Sequence, residues 1–179
     1  NPTQPFRVIG RRTPKVDAVE KVTGRAQFGA DVRFPRLLVC KVLRSPYAHA
    51  RITAIDTRAA AALPGVRAIL TGQDLPRITP GMPGPAGPVA PREYYVSQEI
   101  LAREKVVFHG QVVAAVAATS EALAEAALER IRVDYEVLPH VTDPVAAMQA
   151  GAPLLHADLY TQSAAGQATT PSNVAEYLE

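Results

Sequence analysis

The stretch that decides the fold is RSPYAHARI, residues 44–52, which Thr53 and Ala54-Ile55-Asp56 continue. The preceding residues 37–44 (LLVCKVLR) form an apolar run of strand length. Pro46 has no backbone N–H to donate to a ladder, so this strand should end there. Ala50, Ile52 and Ile55 then mark a second, less regular strand. The sequence therefore predicts a strand, a polar corner and a return strand.

Further elements are predicted on both sides of this pair. Even spacing of apolar residues after Gly24 predicts a strand within 21–32. Residues 112–119 are apolar on both faces, which is typical of a strand covered on both sides. Ser120 should cap a helix to about Arg130, and Pro144 should begin a short helix to about Ala150. The other predicted elements are a helix over 57–63 and strands over 66–71, 105–108 and 133–138.

Proline and glycine mark the irregular parts of the chain. Residues 1–16 contain three prolines and predict an extended N-terminal arm. Residues 76–91 hold six prolines and three glycines, and predict an exposed loop that is either a mobile insertion or a partner-binding excursion. Residues 161–172 are small and polar, which is typical of a linker.

Composition excludes several classes of function. The chain has 179 residues, of which 47% are hydrophobic and 20% charged, and a formal charge of only +2. This predicts a globular protein without a general affinity for nucleic acid, so we interpret Arg11, Arg12 and Lys15 as a solvated cluster. The apolar run 112–118 is far shorter than the roughly 20 residues that cross a bilayer. No secretion signal is recognised, which predicts a cytoplasmic protein.

Cysteine and histidine give no metal pattern. Cys40 is the only cysteine, so the chain forms no internal disulfide and holds no cysteine-ligated iron–sulfur cluster by itself. Its apolar neighbours predict that it is buried. The four histidines lack the spacing of zinc ligands. We expect His49 to bond backbone or Asp56, or else to serve an interface. Of the four histidines, His109 is the strongest candidate for a contact outside the domain; the remaining two are His140 and His156.

Other chemistry-bearing patterns are also missing from the sequence. It contains no phosphate-binding loop, dinucleotide fingerprint or serine elbow. Arg44 and Arg51 flank the corner, and pairing of an arginine with Asp56 should fix the turn, although a substrate-binding arginine is an alternative. Three acidic residues of the later strand and loop are interpreted as ordinary surface carboxylates: Asp134, Glu136 and Asp143. We therefore assign no catalytic, cofactor-binding or metal-binding residue.

Five phrases, in this order, resemble the α/β hammerhead domain that begins the large, molybdopterin-binding subunit of molybdenum hydroxylases. They are DAVEKVTGRAQFGADV (17–32), RSPYAHARITAID (44–56), LPGVRAILTGQDLP (63–76), VVFHGQVVAAVAAT (106–119) and VDYEVLPHVTDP (133–144). The departures are small: Phe28 replaces a frequent tyrosine, His109 a small apolar residue, and Val112 or Val113 a frequent proline. The resemblance implies an α+β fold with mixed, mainly antiparallel strands and two or three helices. It also implies a hammerhead domain over 17–157 and a linker over 158–179 toward further domains.

The resembled group comprises xanthine dehydrogenases, aldehyde oxidases and aerobic carbon monoxide dehydrogenases. In that group the pterin-binding segments come after the hammerhead domain, as does the glutamate that assists attack by the metal's oxygen ligand. The resemblance therefore assigns no catalytic residue to this chain. The resemblance implies a non-catalytic scaffold of a larger oxidoreductase that uses molybdopterin-bound molybdenum. Its partners would be the molybdopterin-binding domains and iron–sulfur and FAD-binding domains or subunits. A free-standing protein- or ligand-binding module is the alternative. Apolar residues near the 44–51 corner or the 108–113 turn should be exposed, or covered by self-association.

Overall fold

The computed structural model describes residues 9–10, 12–84 and 87–177, with the side chains of 91–93 left aside. The chain divides into two compact units, Asn1–Leu37 and Leu38–Glu179. The strand–corner–strand stretch lies in the second unit. Most of the predicted arm, residues 1–8 and 11, lies outside the described residues. The domain boundaries inferred from the sequence stay predictions.

The first unit contains one short helix, α1 (Ala18–Val22), and a 3-10 turn over Gly29–Asp31. The strand predicted within 21–32 is therefore wrong. The backbone N–H groups of Arg25 and Ala26 both donate to the carbonyl oxygen of Glu20, at 2.9 and 3.0 Å. These local bonds satisfy backbone groups that a strand would pair with a neighbouring strand. Even spacing of apolar residues does not provide such a neighbour.

The second unit begins with β1 (Val39–Arg44), β2 (Ala50–Asp56), α2 (Arg58–Ala61) and β3 (Val66–Thr71). Two paired strands of two residues each, β4 (Pro83–Gly84) and β5 (Gly87–Pro88), precede α3 (Pro91–Ile100) and β6 (Lys105–Val106). Next come β7 (Val112–Ala118), α4 (Glu121–Leu128), β8 (Arg132–Val137) and α5 (Pro144–Ala147). The last strands are β9 (Tyr160–Ser163) and β10 (Gly166–Pro171).

Two antiparallel sheets organise this unit. The first has the order β1-β7-β3, with β7 paired on both sides. Helices α2 and α4 contribute Ala60 and Ala127 to a core that also holds Ala114 and Val116 of β7. The second sheet has the order β6-β2-β8, and a second core cluster lies around Ala50, Ala102, Val106 and Val113. Strand β7 supplies residues to both cores because its successive side chains point to opposite faces.

The predicted α+β hammerhead class is confirmed, although the described residues hold five α-helices rather than two or three. Ser120 caps α4, since its Oγ accepts from the backbone N–H of Leu123 at 3.3 Å. Asp143 caps α5 in the same way, through the N–H of Ala146 at 2.7 Å. Thr57 precedes α2 without a side-chain cap bond. The sequence therefore located all three of these helix starts, although only Ser120 and Asp143 make a side-chain cap bond.

Cys40 is exposed, so the prediction that it is buried is wrong. It lies in β1, an edge strand of the first sheet, on the side opposite the helices. Its neighbour Lys41 points toward α4 and pairs with Glu121 and Glu125 at 2.5 and 3.1 Å. An apolar run indicates a strand but does not show which of its faces is covered.

The Pro/Gly-rich segment 76–91 is largely exposed in its described part, as predicted, but it is more ordered than a plain loop. The N–H of Gly81 donates to the carbonyl of Val89 at 2.9 Å, and the N–H of Val89 donates to that of Met82 at 2.8 Å. These bonds close the β4–β5 hairpin. Helix α3 follows at once and begins at Pro91, since proline fits the first helical position. The sequence did not predict this helix.

A carboxylate cap after β3 gives the fold an acid-sensitive contact. The backbone N–H and the hydroxyl of Thr71 both donate to Asp74 Oδ2, at 2.7 and 2.9 Å, and lower the pKa of Asp74 below its ordinary 3.8. A carboxyl with a depressed folded pKa stabilises above its unfolded pKa and loses that contribution as pH falls through the folded value. We expect Asp74→Asn to flatten the fall in unfolding free energy below about pH 4. Urea unfolding at a series of pH values measures this, and equal slopes for both proteins would contradict it.

Candidate functional site

The polar corner after β1 is held by one buried side chain. Ser45 Oγ accepts the N–H of Tyr47 at 3.0 Å and also lies 3.1 Å from the Tyr47 carbonyl, to which it donates. The Ser45 backbone reaches a second turn: its N–H donates to Gln111 O at 2.8 Å, and its carbonyl accepts from Gly110 N at 2.9 Å. The corner 44–51 and the turn 108–112 are thus one structural unit, which we call the corner site.

The arginines at the corner bond differently from the prediction. Arg44 Nη1 donates to the carbonyl of Gly110 at 2.8 Å, which adds a third link between corner and turn. Arg51 pairs with Glu136 at 2.9 Å, since the two residues are opposite in the β2–β8 ladder. The predicted arginine pairing of Asp56 across the corner is therefore wrong.

Asp56 instead binds its sequence neighbour Arg58. Its Oδ1 accepts from Nε and its Oδ2 from Nη2, at 2.9 and 2.7 Å, and Oδ1 also accepts the Arg58 backbone N–H at 3.0 Å. These bonds hold the pKa of Asp56 well below its ordinary value. The carboxylate therefore anchors the start of α2 rather than the corner.

Gln111 connects the turn to the rest of the domain and is fully buried. Its Oε1 accepts the N–H of Val107 at 2.7 Å, and its Nε2 donates to the carbonyl of Gln98 in α3 at 3.1 Å. One fully buried amide thus satisfies two backbone groups of partly buried residues. Sequence reasoning missed this residue; the only signal was a polar residue directly before the most apolar strand.

All four histidines line one cavity of about 380 Å³ beside the corner site. Their sequence spacing gave no indication of this, because the tertiary fold brings the residues together. His49 is buried, and its Nδ1 lies 2.8 Å from the carbonyl oxygen of Pro139, which confirms the predicted backbone bond. Because a carbonyl cannot donate, Nδ1 carries the proton. His49 Nε2 is buried without a hydrogen-bond partner among the described residues.

Two groups in or near this cavity have perturbed pKa values, His156 in its lining and Lys105 close to His156. Burial lowers the pKa of the His156 imidazole, and the nearby Lys105 ammonium acts in the same direction. Burial also lowers the pKa of Lys105, whose Nζ donates to the carbonyl of Leu155. His156 stacks edge-on against Tyr95 at 4.8 Å between ring centroids. These surroundings favour the neutral form of His156.

Aromatic side chains at the rim of the corner site are exposed, as predicted. Tyr47 is 38% exposed and Phe108 is 44% exposed. The Tyr47 ring meets the ring of Tyr135 edge to face, with centroids 5.2 Å apart. A rigid corner with exposed aromatic groups at its edge is suited to contact another protein surface.

The predicted linker over 158–179 folds back onto the domain in its described part. Strands β9 and β10 pair with each other, and Asn173 bonds three backbone groups. Its Oδ1 accepts from Leu155 N at 2.9 Å, and its Nδ2 donates to the carbonyls of Ala147 and Pro153, both at 3.0 Å. Whether the segment also leads to further domains stays a prediction.

Replacing Asn173 by alanine should lower the free energy of unfolding by about 2 kcal/mol, because three backbone groups lose their partner in a partly buried place. Asn173→Asp keeps the acceptor for Leu155 but sets a carboxylate oxygen against the carbonyl oxygens of Ala147 and Pro153, so it should cost at least as much as the alanine variant. Gln167→Ala, at an exposed position of β10, is the matched control and should change stability by no more than about 0.5 kcal/mol. Urea unfolding compares the three variants, and an Asn173→Ala midpoint equal to that of the control would refute the anchoring role.

A family model supplies the class of this chain. The model described as aldehyde oxidase and xanthine dehydrogenase, a/b hammerhead domain, matches residues 23–139. The chain therefore belongs to the aldehyde oxidase and xanthine dehydrogenase α/β hammerhead family. The corner site lies wholly inside the matched region.

Individual proteins show the same relationship. The carbon monoxide dehydrogenase large chain of Afipia carboxidovorans is 42% identical over 152 residues, which are 84% of this chain and 18% of the relative. The xanthine dehydrogenase molybdenum-binding subunit of Escherichia coli O157:H7 is 36% identical over 79% of this chain and 19% of the relative. The crystal structure of the aldehyde oxidoreductase from Desulfovibrio desulfuricans has a TM-score of 0.66 and 37% identity over 84% of this chain and 17% of that chain. The chain thus spans less than a fifth of these relatives.

The described residues do not match what a metal centre requires. Among residues 9–10, 12–84 and 87–177, no group of three or more His, Cys, Asp or Glu side chains is placed to hold a metal ion, and the four cavity histidines are no exception. The same ranges contain no helix that is long and apolar enough to cross a membrane. That the chain holds no catalytic, cofactor-binding or metal-binding residue stays a prediction.

Proposed function

We propose that this chain is the N-terminal framework domain of the molybdopterin-binding large subunit of a molybdenum hydroxylase, and that it performs no catalysis by itself. One observation carries the proposal: the similarity to a carbon monoxide dehydrogenase large chain spans 84% of this chain but only 18% of that relative. A domain that matches so small a share of an enzyme is expected to serve the remaining domains. Its task would be to pack against them through rigid surfaces such as the corner site.

The parent reaction would be oxidative hydroxylation of a purine, aldehyde, aromatic or heterocyclic substrate, or oxidation of carbon monoxide. Molybdopterin-bound molybdenum would supply that chemistry from residues outside this chain. Iron–sulfur clusters and FAD would be held by other segments or subunits. The cytoplasmic location also stays a prediction, as nothing in the fold bears on it.

The second candidate function is a free-standing ligand- or protein-binding module, and the histidine-lined cavity favours it. His49 Nε2 is buried beside a cavity of about 380 Å³ and has no hydrogen-bond partner in the part of the chain that the structure describes, which is a feature of binding sites. The framework proposal does not require this cavity to bind any small molecule.

Gene structure and purification separate the two candidates. The framework proposal expects a molybdopterin-binding portion in the same reading frame or in an adjoining gene, and it expects that portion to co-purify with this chain. A stop codon soon after residue 179, with no such gene nearby, would overturn it in favour of the binding module. Failure of the two expressed portions to associate would count against it as well.

A further inference from the structure

The histidine-lined cavity of about 380 Å³ belongs to the second unit alone, since its described lining residues fall between Ala48 and Asn173. One part of its wall is fixed by the Asn173 amide. The three residues whose backbone groups bond this amide also line the cavity: Ala147, Pro153 and Leu155. This part of the wall is therefore preformed, as is usual for sites that bind small molecules.

The His49 ring provides a hydrogen-bond acceptor beside this cavity. Its Nδ1 donates to the carbonyl oxygen of Pro139 at 2.8 Å, so the neutral ring carries its lone pair on Nε2. The residue is only 6% exposed, and Nε2 has no hydrogen-bond partner within the described part of the chain. A buried acceptor of this kind is costly to leave unpaired. The position therefore favours a molecule that donates a hydrogen bond.

The lining of the cavity favours an uncharged molecule. Its described residues include no Asp, Glu, Lys or Arg. Burial lowers the pKa of His156, which also lines the cavity, and so favours the uncharged imidazole. An ion would leave water without an opposite charge in this lining, which is unfavourable. Much of the remaining wall is apolar or aromatic and suits a flat ring; it includes Val107, Phe108 and Leu159.

We propose that this cavity binds a small, uncharged aromatic molecule that carries an O–H or N–H group, and that His49 Nε2 accepts the hydrogen bond from that group. Because Nε2 is covered, the ligand reaches it when an exposed lining side chain changes rotamer, and Phe108 is 44% exposed. The framework role requires no ligand at this place, so the inference goes beyond it. It also gives the binding module, the second candidate function, a class of ligand.

Phenol and anisole are the probes, because they share a ring and an oxygen atom but only phenol has an O–H group. Each is titrated into the isotope-labelled chain at about pH 8, and the nitrogen signals of the imidazole rings are followed by NMR. We expect phenol to bind at least about tenfold more tightly than anisole. The signal of His49 Nε2 should move toward that of a hydrogen-bonded nitrogen with phenol only, while the signal of Nδ1 should change little.

His49→Phe keeps a ring at this position but removes the acceptor, so the preference for phenol over anisole should disappear. His140→Phe is the matched control, since His140 lines the same cavity at an exposed position. The control should keep the tenfold preference. The unfolding midpoint shows whether His49→Phe is folded. If it is not, the two probes and the Nε2 signal of the parent chain still decide the matter.

Several results would overturn the inference. These are no binding of phenol, equal affinity for phenol and anisole, and phenol binding that leaves the His49 Nε2 signal unchanged. Benzoate serves as a charged probe, and tighter binding of benzoate than of phenol would also overturn it, because the cavity would then prefer an anion. None of these results bears on the framework role, which is tested by association with the molybdopterin-binding portion.

Discussion

Replacing Gln111 by leucine is expected to lower the free energy of unfolding by about 4 kcal/mol. The leucine keeps the apolar bulk but removes both bonds of the buried amide. The N–H of Val107 and the carbonyl of Gln98, both in partly buried residues, would then face an apolar side chain in place of their hydrogen-bond partner. Each such orphaned group costs about 1–3 kcal/mol. Urea unfolding monitored by circular dichroism measures the loss.

The matched control is Gln27→Leu, which changes the same chemical groups at an exposed position and should stay within about 0.5 kcal/mol of the parent. Hydrogen exchange gives a local readout. In Gln111→Leu the amide of Val107 should lose its protection, while amides at the centre of β7 should follow global stability. A variant as stable as the control would show that the buried amide does not hold the turn.

The second large effect is expected from Gly72→Ala, at about 3 kcal/mol of lost stability. Gly72 is buried, and a Cβ at this position would lie 2.6 Å from the Ala102 carbonyl oxygen and 2.7 Å from Arg103 Cα. Both neighbours are backbone atoms, which cannot move aside as a flexible side chain can. The segment after β3 and the segment before β6 would be forced apart.

Gly29→Ala is the control for this substitution, because a Cβ there meets no atom within 4 Å. Thermal unfolding of the two variants should give a clearly lower midpoint for Gly72→Ala alone. Similar midpoints would mean that the backbone at residues 102–103 yields without cost, and the close approach would then be unimportant for stability.

The sequence predicted the strands of the two main sheets and the starts of α2, α4 and α5 because their signals are local. Pro46 ends β1 just beyond Arg44, and Ser120 caps α4, as the hydrogen-bonding capacity of proline and serine requires. The apolar run 112–119 corresponds closely to β7. Each of these features is decided by a few neighbouring residues. The five family phrases then fixed the fold class, which the strands alone left open.

The partners of individual side chains could not be predicted, because they depend on register and tertiary packing. Arg51 pairs with Glu136 across the ladder, 85 residues away, and Asp56 with Arg58 beside it. The exposure of Cys40 depends on which side of the sheet the helices cover. The histidine cavity assembles residues from four separate segments, so their spacing in the chain carries no information about it.

Molybdenum content and turnover of the isolated chain test the central claim most directly. The claim is that these residues form a framework and that the chemistry belongs to the remainder of the enzyme. The purified chain should contain no stoichiometric molybdenum and should oxidise none of xanthine, aldehydes or carbon monoxide. The assembled large subunit with its redox partners should contain molybdenum and oxidise a substrate of one of these classes. Tightly bound molybdenum or turnover by the isolated chain would contradict the account.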